Sequence, residues 1–329
     1  MQPVRYSQEV VVDVPDLVIK GVDRFRTILD GRDTKTNGIA VEGFGEITIK
    51  NLTVRNFTGS GIYIDDATDY TVSGVDLIKN RMFGVNVVGS TDGLITRSFG
   101  WGSGDSAFRV ADCTSCSTLV DTIQGRKSFI GLTLENVLGV VVRGSRFKND
   151  GAGIVSMATP DGHVGPNRGA HLLGNTVSNN NNYSTVPEAG LSARSGLPFG
   201  TGIWLAGTTN NVVENNVVEE HDRYGILVTR SFDTQVTSSS NEVVGNIVEG
   251  SGLFDLAWDG YGADNCFAGN LAVSTGPSDI PSTYACRARP LTGTPFDPVI
   301  DEVAAALVYD PNRLQVEPPE PNRPRCSSC

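Results

Sequence analysis

Gly61-Ile-Tyr-Ile64, Gly84-Val-Asn-Val87, Ala107-Phe-Arg-Val110 and Gly131-Leu-Thr-Leu134 repeat one pattern: a small residue, then apolar side chains at alternate positions. Working outward, the pattern recurs at Gly38-Ile-Ala-Val41, Gly153-Ile-Val-Ser156, Gly202-Ile-Trp-Leu205 and Gly225-Ile-Leu-Val228. Successive starts lie 23, 23, 23, 24, 22, 49 and 23 residues apart. A period of this length marks a stacked repeat. Each repeat holds further short apolar runs, such as Tyr70-Thr-Val-Ser73 and Val75-Asp-Leu-Ile78, divided by Gly, Asn and Asp. Strands of 3–5 residues with such corners leave no room for a crossover helix. The remaining solution is a coil of short strands, each stacked on its equivalent in the next coil.

Gly-Ile-x-Val at this period resembles the right-handed parallel β-helix of the pectin-lyase-like superfamily, over roughly residues 9 to 273. The expected fold is therefore all-β, a single-stranded right-handed parallel solenoid of about 23 residues per coil. The helix is expected over 1–273, with insertion loops at about 158–169 and 180–200, and a cap and Pro-rich tail over 274–329. Within that tail, Asp297 to Tyr309 reads as a short capping helix. Asn80, Asn149, Asn216 and Asn246 are candidates for hydrogen-bonded corner ladders.

Strand alternation defines an outer face. Its first column reads Ala40, Tyr63, Asn86, Arg109, Thr133, Val155, Trp204 and Leu227, with Asp255 next in line. A second reads Glu42, Asp65, Val88, Ala111, Glu135, Ala206 and Thr229. Aromatic rings stack on sugars, and Arg, Asn and carboxylates read their polar groups. Tyr63, Asn86, Arg109, Thr133, Trp204 and Arg194 are thus the expected substrate-binding residues. Uronic-acid chemistry needs a carboxylate neutraliser, a base and an acid. His221, Arg223 and Tyr224, with His163 on the first loop, are the residues suited to those roles.

The resemblance implies a carbohydrate-active or carbohydrate-binding protein, either a lyase or epimerase on an acidic polysaccharide or a non-catalytic surface, scaffold or maturation protein. The motifs of β-helical polygalacturonases are missing except for Asp65-Asp66, and Pro160-Asp-Gly-His163 matches the epimerase Asp-Pro-His-Asp poorly. Calcium-dependent pectate lyases place several acids together, whereas Glu42, Asp65 and Glu135 are coils apart, so spacing supports neither calcium nor another cofactor.

The net charge of −11, from 26 basic and 37 acidic residues, argues against a nucleic-acid partner. No apolar run is long enough to span a membrane. Six Cys fall as Cys113/Cys116, Cys266/Cys286 and Cys326/Cys329. The first two pairs are expected as disulfides of a secreted or extracytoplasmic protein, the spacing of the two CxxC pairs also permitting a zinc site. No signal-peptide pattern opens the chain, and the strand pattern at Glu9–Asp13 makes the start read as trimmed.

Overall fold

The computed structural model describes residues 4–160, 167–182, 184, 199–280 and 285–286. Three parallel sheets wrap one core. Sheet A stacks 11 strands from Val4–Tyr6 to Leu271–Ala272, and sheet B stacks 11 from Val10–Val12 to Thr275–Gly276. Sheet C stacks 10, from Val18–Lys20 to Cys266–Ala268. Each strand pairs with its equivalent one coil away, so the repeat read from the sequence is the repeat of the solenoid. The coils continue to Gly276, whose neighbour Thr275 is in register with Leu256.

The expected inner row is present. Ile62, Val85, Phe108, Leu132, Ile154, Ile203 and Ile226 are partners in successive strands of sheet B, and all are fully buried. Each such side chain contributes about 1.5–3 kcal/mol by leaving water. Across the 49-residue interval, the strand Ala152–Met157 pairs directly with Thr201–Ala206. That interval is therefore one coil, and its extra residues lie in two loops at the corners.

Corners expose backbone groups that the sheets no longer pair, and inside a dry core each needs a partner. Between sheets C and A one residue per coil turns the chain through left-handed backbone, with φ of 49–64° from Asn51 to Gly269. The next residue points inward. There Asn175, Asn216, Asn246 and Asn270 form a ladder: the backbone N–H of each donates to the Oδ1 of the next at 2.9 Å. The amide nitrogens of Asn175, Asn216, Asn246 and Asn270 donate back to the carbonyls of Val142, Leu172, Val213 and Val243. A second ladder runs through Asn211, Asn241 and Asn265 between sheets B and C. Asn80 performs the same task at the A-to-B corner, accepting from Phe57 N at 3.2 Å.

Two expectations need correction. Asn149 is not a rung: it takes the left-handed turn itself, with φ 59°, and its neighbour Asp150 points inward. Asp255 is not in the outward column, because Leu227 is in register with Ala257. Asp255 is buried, and its carboxylate caps the backbone N–H groups of Ser251, Val273 and Ser274.

Cys113–Cys116 and Cys266–Cys286 are disulfides, with Cα separations of 5.2 and 4.7 Å. Cys326, Cys329, the capping-helix segment and the Pro-rich tail lie outside the described residues, as do most of the two insertion loops.

Asn216→Ala should expose the dependence on the ladder. It leaves Asn175 N and Leu172 O without their partners, and each unsatisfied buried group costs about 1–3 kcal/mol. Chemical denaturation should show a loss of about 2–5 kcal/mol, against less than about 1 for the neighbouring corner change Asn215→Gly.

Candidate functional site on sheet B

The outer face of sheet B divides into two halves. In the first, consecutive strands place Tyr63, Asn86, Arg109 and Thr133 in one column. Arg109 links them. Its Nη1 donates to Asn86 Oδ1 at 3.0 Å, its Nε donates to Glu135 Oε2 at 2.9 Å, and its guanidinium lies 5.5 Å from the centre of the Phe83 ring. Tyr63 donates its hydroxyl to Asp65 Oδ2 at 3.0 Å. Burial, helped by that carboxylate, pushes the Tyr63 phenol up to about 12, so it stays protonated as a donor.

Ser106 ties the edge of this cluster. Its Oγ lies 2.7 Å from both Asp105 Oδ1 and Thr133 Oγ1. Desolvation raises the Asp105 pKa, against the lowering effects of Ser106 and Arg109. Beyond it, Thr159, at the start of the first insertion loop, donates its hydroxyl to Glu135 Oε1 at 2.8 Å. Asn86 and Thr133 are buried, Tyr63, Arg109, Asp105 and Glu135 half-buried, and all are fixed by neighbours rather than loose in solvent. Glu135 pairs with the Arg109 guanidinium and Asp105 feels its charge, while Asp65 and Glu42 lie two and three strands away from it. Glu42 and Asp65 are strand neighbours, but Glu135 stands three strands further on. Among the described residues no three His, Cys, Asp or Glu side chains are grouped to hold a metal ion.

The second half of the face is apolar and covered. Val155, Trp204, Leu227 and Ala257 continue the column and are all buried. With Phe129, Ile130, Met157 and Tyr224 they form a second hydrophobic cluster outside the coil. Trp204 is not a sugar platform: it is 1% exposed, its Nε1 donates to Thr229 Oγ1 at 2.9 Å, and Phe232 covers it with ring centres 5.8 Å apart. Phe199, at the end of the second insertion loop, lies against Phe129 at 5.1 Å. The end of that loop thus reaches Trp204's side of the rod. The sequence carried the signal in Val155, Trp204 and Leu227, an apolar outward column that water would not tolerate and that the longer coils supply loops to cover.

The expected acid–base group does not assemble. His221 is buried at the A-to-B corner, in a ladder with Ser128, Asp150 and Asn180. Its Nδ1 accepts from Asn180 N at 3.4 Å, and its Nε2 is 3.2 Å from Val177 O. It thus makes the two contacts that Asn180 makes one rung away, to Asp150 N and Phe147 O. That pairing requires the neutral ring protonated on Nε2. Desolvation accordingly lowers its pKa to about 4. Tyr224 is fully buried in the second cluster, so neither its side chain nor that of His221 is open to solvent. Arg223 is half-buried at the same corner, where its carbonyl accepts from Leu253 and Phe254. His171 stands on sheet C, 3.2 Å from Glu214. His163 and Arg194 lie outside the described residues. The ladder role of His221 was readable: it sits four residues before Gly225, as Asn80 does before Gly84.

Three solved structures share the fold at this level of divergence. A periplasmic alginate epimerase is 12% identical with a TM-score of 0.52, over 80% of this chain and 78% of that one. An alginate lyase from Paenibacillus sp. str. FPU-7 is 14% identical with a TM-score of 0.52, over 74% and 84%. The Dettilon tailspike protein is 10% identical with a TM-score of 0.55, over 82% of this chain and 60% of that one. No curated protein sequence matches the chain.

His221 and Asp150 make the corner ladder sensitive to pH in opposite directions. Because the folded pKa of His221 is depressed, its contribution is complete above pH 6.5 and is lost as pH falls toward 4. Denaturation curves should lose about 3 kcal/mol over that window, and His221→Asn should remove most of the loss. Asp150 is raised well above 3.8 by burial, so it favours the fold most below that pH and less as pH rises. Asp150→Asn should therefore stabilise the protein at neutral pH.

The family model for the right handed beta helix region matches residues 37–193 and 162–270, and with the three stacked sheets this establishes that the chain belongs to the right-handed parallel β-helix family.

Proposed function

We propose that this β-helix binds a polysaccharide across the first half of sheet B, over Tyr63, Asn86, Arg109 and Thr133. The observation that carries the reading is the Arg109 cluster, in which fixed donors and acceptors stand at strand spacing on a rigid sheet. Such a surface matches the repeat of hydroxyl groups along a glycan without having to order loose side chains first. The shared fold with an alginate epimerase and an alginate lyase supports a carbohydrate ligand. The charge balance favours a neutral glycan over the acidic one that sequence analysis suggested. Glu135 already occupies Arg109, Asp105 lies within reach of its charge, and Asp65 and Glu42 stand on earlier strands of the same face. A uronate polymer would meet net negative charge there. The two disulfides fit an oxidising, extracytoplasmic setting for such a protein.

A catalytic form of the reading rests on Asp105. A general acid must hold its proton near the working pH, and burial raises this carboxyl, whose Oδ1 lies 2.7 Å from Ser106 Oγ beside the Arg109 cluster. It replaces the His221 and Tyr224 chemistry, since those side chains are sealed away.

Calorimetric titration with neutral glucan and alginate oligosaccharides tests the proposal. Binding should be tighter for the neutral series, and Asn86→Ala or Tyr63→Phe should each weaken it by about 1 kcal/mol, roughly five-fold. Trp204→Ala should leave affinity nearly unchanged in the folded protein and lower thermal stability by about 3–5 kcal/mol. Affinity that depends on Trp204 but not on Asn86 or Tyr63 would sink the proposal. Release of reducing ends, abolished in Asp105→Asn, would establish the catalytic form.

A further inference from the structure

Away from sheet B, positive charge gathers around one pocket of this acidic chain. Lys20, Arg24, Lys50 and Arg97 line a pocket of about 350 Å³ at the corner between sheets C and A, with Asn51, Ser73 and Gly74. Lys20 and Lys50 are partners in adjacent parallel strands. Like charges directly opposite one another destabilise a sheet. Among the described residues, neither ammonium has a carboxylate within ion-pair distance.

The two guanidiniums are held in place. Arg24 donates through Nη1 to Asp76 Oδ1 at 3.1 Å and through Nη2 to the Arg97 carbonyl at 3.0 Å. Arg97 donates through Nη2 to Ser73 Oγ at 3.1 Å. Arg97 itself occupies the left-handed corner position, φ 49°, which Asn51 and Gly74 fill in the two preceding coils and Thr122 in the next. A long cation is a poor local choice there, since Asn or Gly suits that backbone better. At Gly74 an added Cβ would come within 3.2 Å of Arg24 Nη2, so glycine keeps the floor open beside the guanidinium. Four cations thus meet one carboxylate, Asp76, which Arg24 already engages.

We propose that this pocket is an oxyanion site that takes a phosphate or sulfate group, either free or carried on a sugar. A tetrahedral oxyanion has enough acceptor oxygens to engage two ammonium groups and the unused N–H groups of two guanidiniums together. It relieves the Lys20–Lys50 repulsion in the same step. The volume exceeds that of the ion alone and lies in the range of small-ligand sites, leaving room for an attached ring.

Calorimetry at fixed ionic strength with inorganic phosphate, sulfate, glucose 6-phosphate and unmodified glucose tests this. Saturable binding of the oxyanions, with none of glucose, is expected. The double variant Lys20→Gln/Lys50→Gln should weaken it at least ~10-fold, and so should Arg97→Asn, which keeps the left-handed corner. The anion-free thermal midpoint of both variants should be no lower than that of the parent. Glucose 6-phosphate binding ~10-fold tighter than phosphate assigns the site to a charged sugar, and equal affinity assigns it to the free ion. The absence of saturable oxyanion binding, or binding that the double variant leaves unchanged, overturns the proposal.

Discussion

Every coil of this solenoid leaves its sheets at corners whose backbone groups sit against a dry core, and satisfying those groups is the constraint on which the rest depends. Side-chain amides, hydroxyls, carboxyls and one imidazole do it, each bonding the backbone of the neighbouring coil. The interaction is local in space and repetitive in sequence, so it also fixes register. A strand displaced by one residue would turn its inner side chains outward and would pull the corner residue out of its ladder. His221 shows how general the requirement is. An imidazole replaces an amide because both present an acceptor and a donor within one planar group.

Register, once fixed, decides what the outer face can do. Columns of side chains run unbroken along sheet B, and the chain uses them in two ways. Where they are polar, charge-assisted bonds hold Asn86, Arg109 and Glu135 in a surface layer. Where they are apolar, the longer coils supply Phe199 and Phe232 to cover Trp204 and its neighbours. The covered half stabilises the rod and removes its largest aromatics from any ligand. On the other half Tyr63 and Arg109 stay partly exposed.

Electrostatics follow the same division. The whole chain is acidic, and the polar half of sheet B shares that sign, with carboxylates around a single arginine. The corner lined by Lys20, Lys50, Arg24 and Arg97 carries the opposite sign. The proposed glycan face and the proposed oxyanion pocket therefore lie on different sides of the coil.

The period of the Gly-led segments determined the fold, because an inward row recurring every 23 residues has no other way to be buried. Alternation also determined which residues stand in the column of Tyr63, Asn86, Arg109 and Thr133, since side chains on a strand must take opposite faces in turn. Spacing within a coil identified both described disulfides. What alternation could not supply was exposure. Trp204 points out of the coil as its position requires, yet loops from elsewhere in the chain bury it. His221 and Tyr224 follow one another closely in sequence but enter the corner ladder and the apolar cover. The basic pocket joins Lys20, Lys50 and Arg97 from three different coils, each unremarkable where it stands in the chain. Only stacking brings them together, because the distance between neighbouring coils is set by backbone hydrogen bonds and not by separation in sequence.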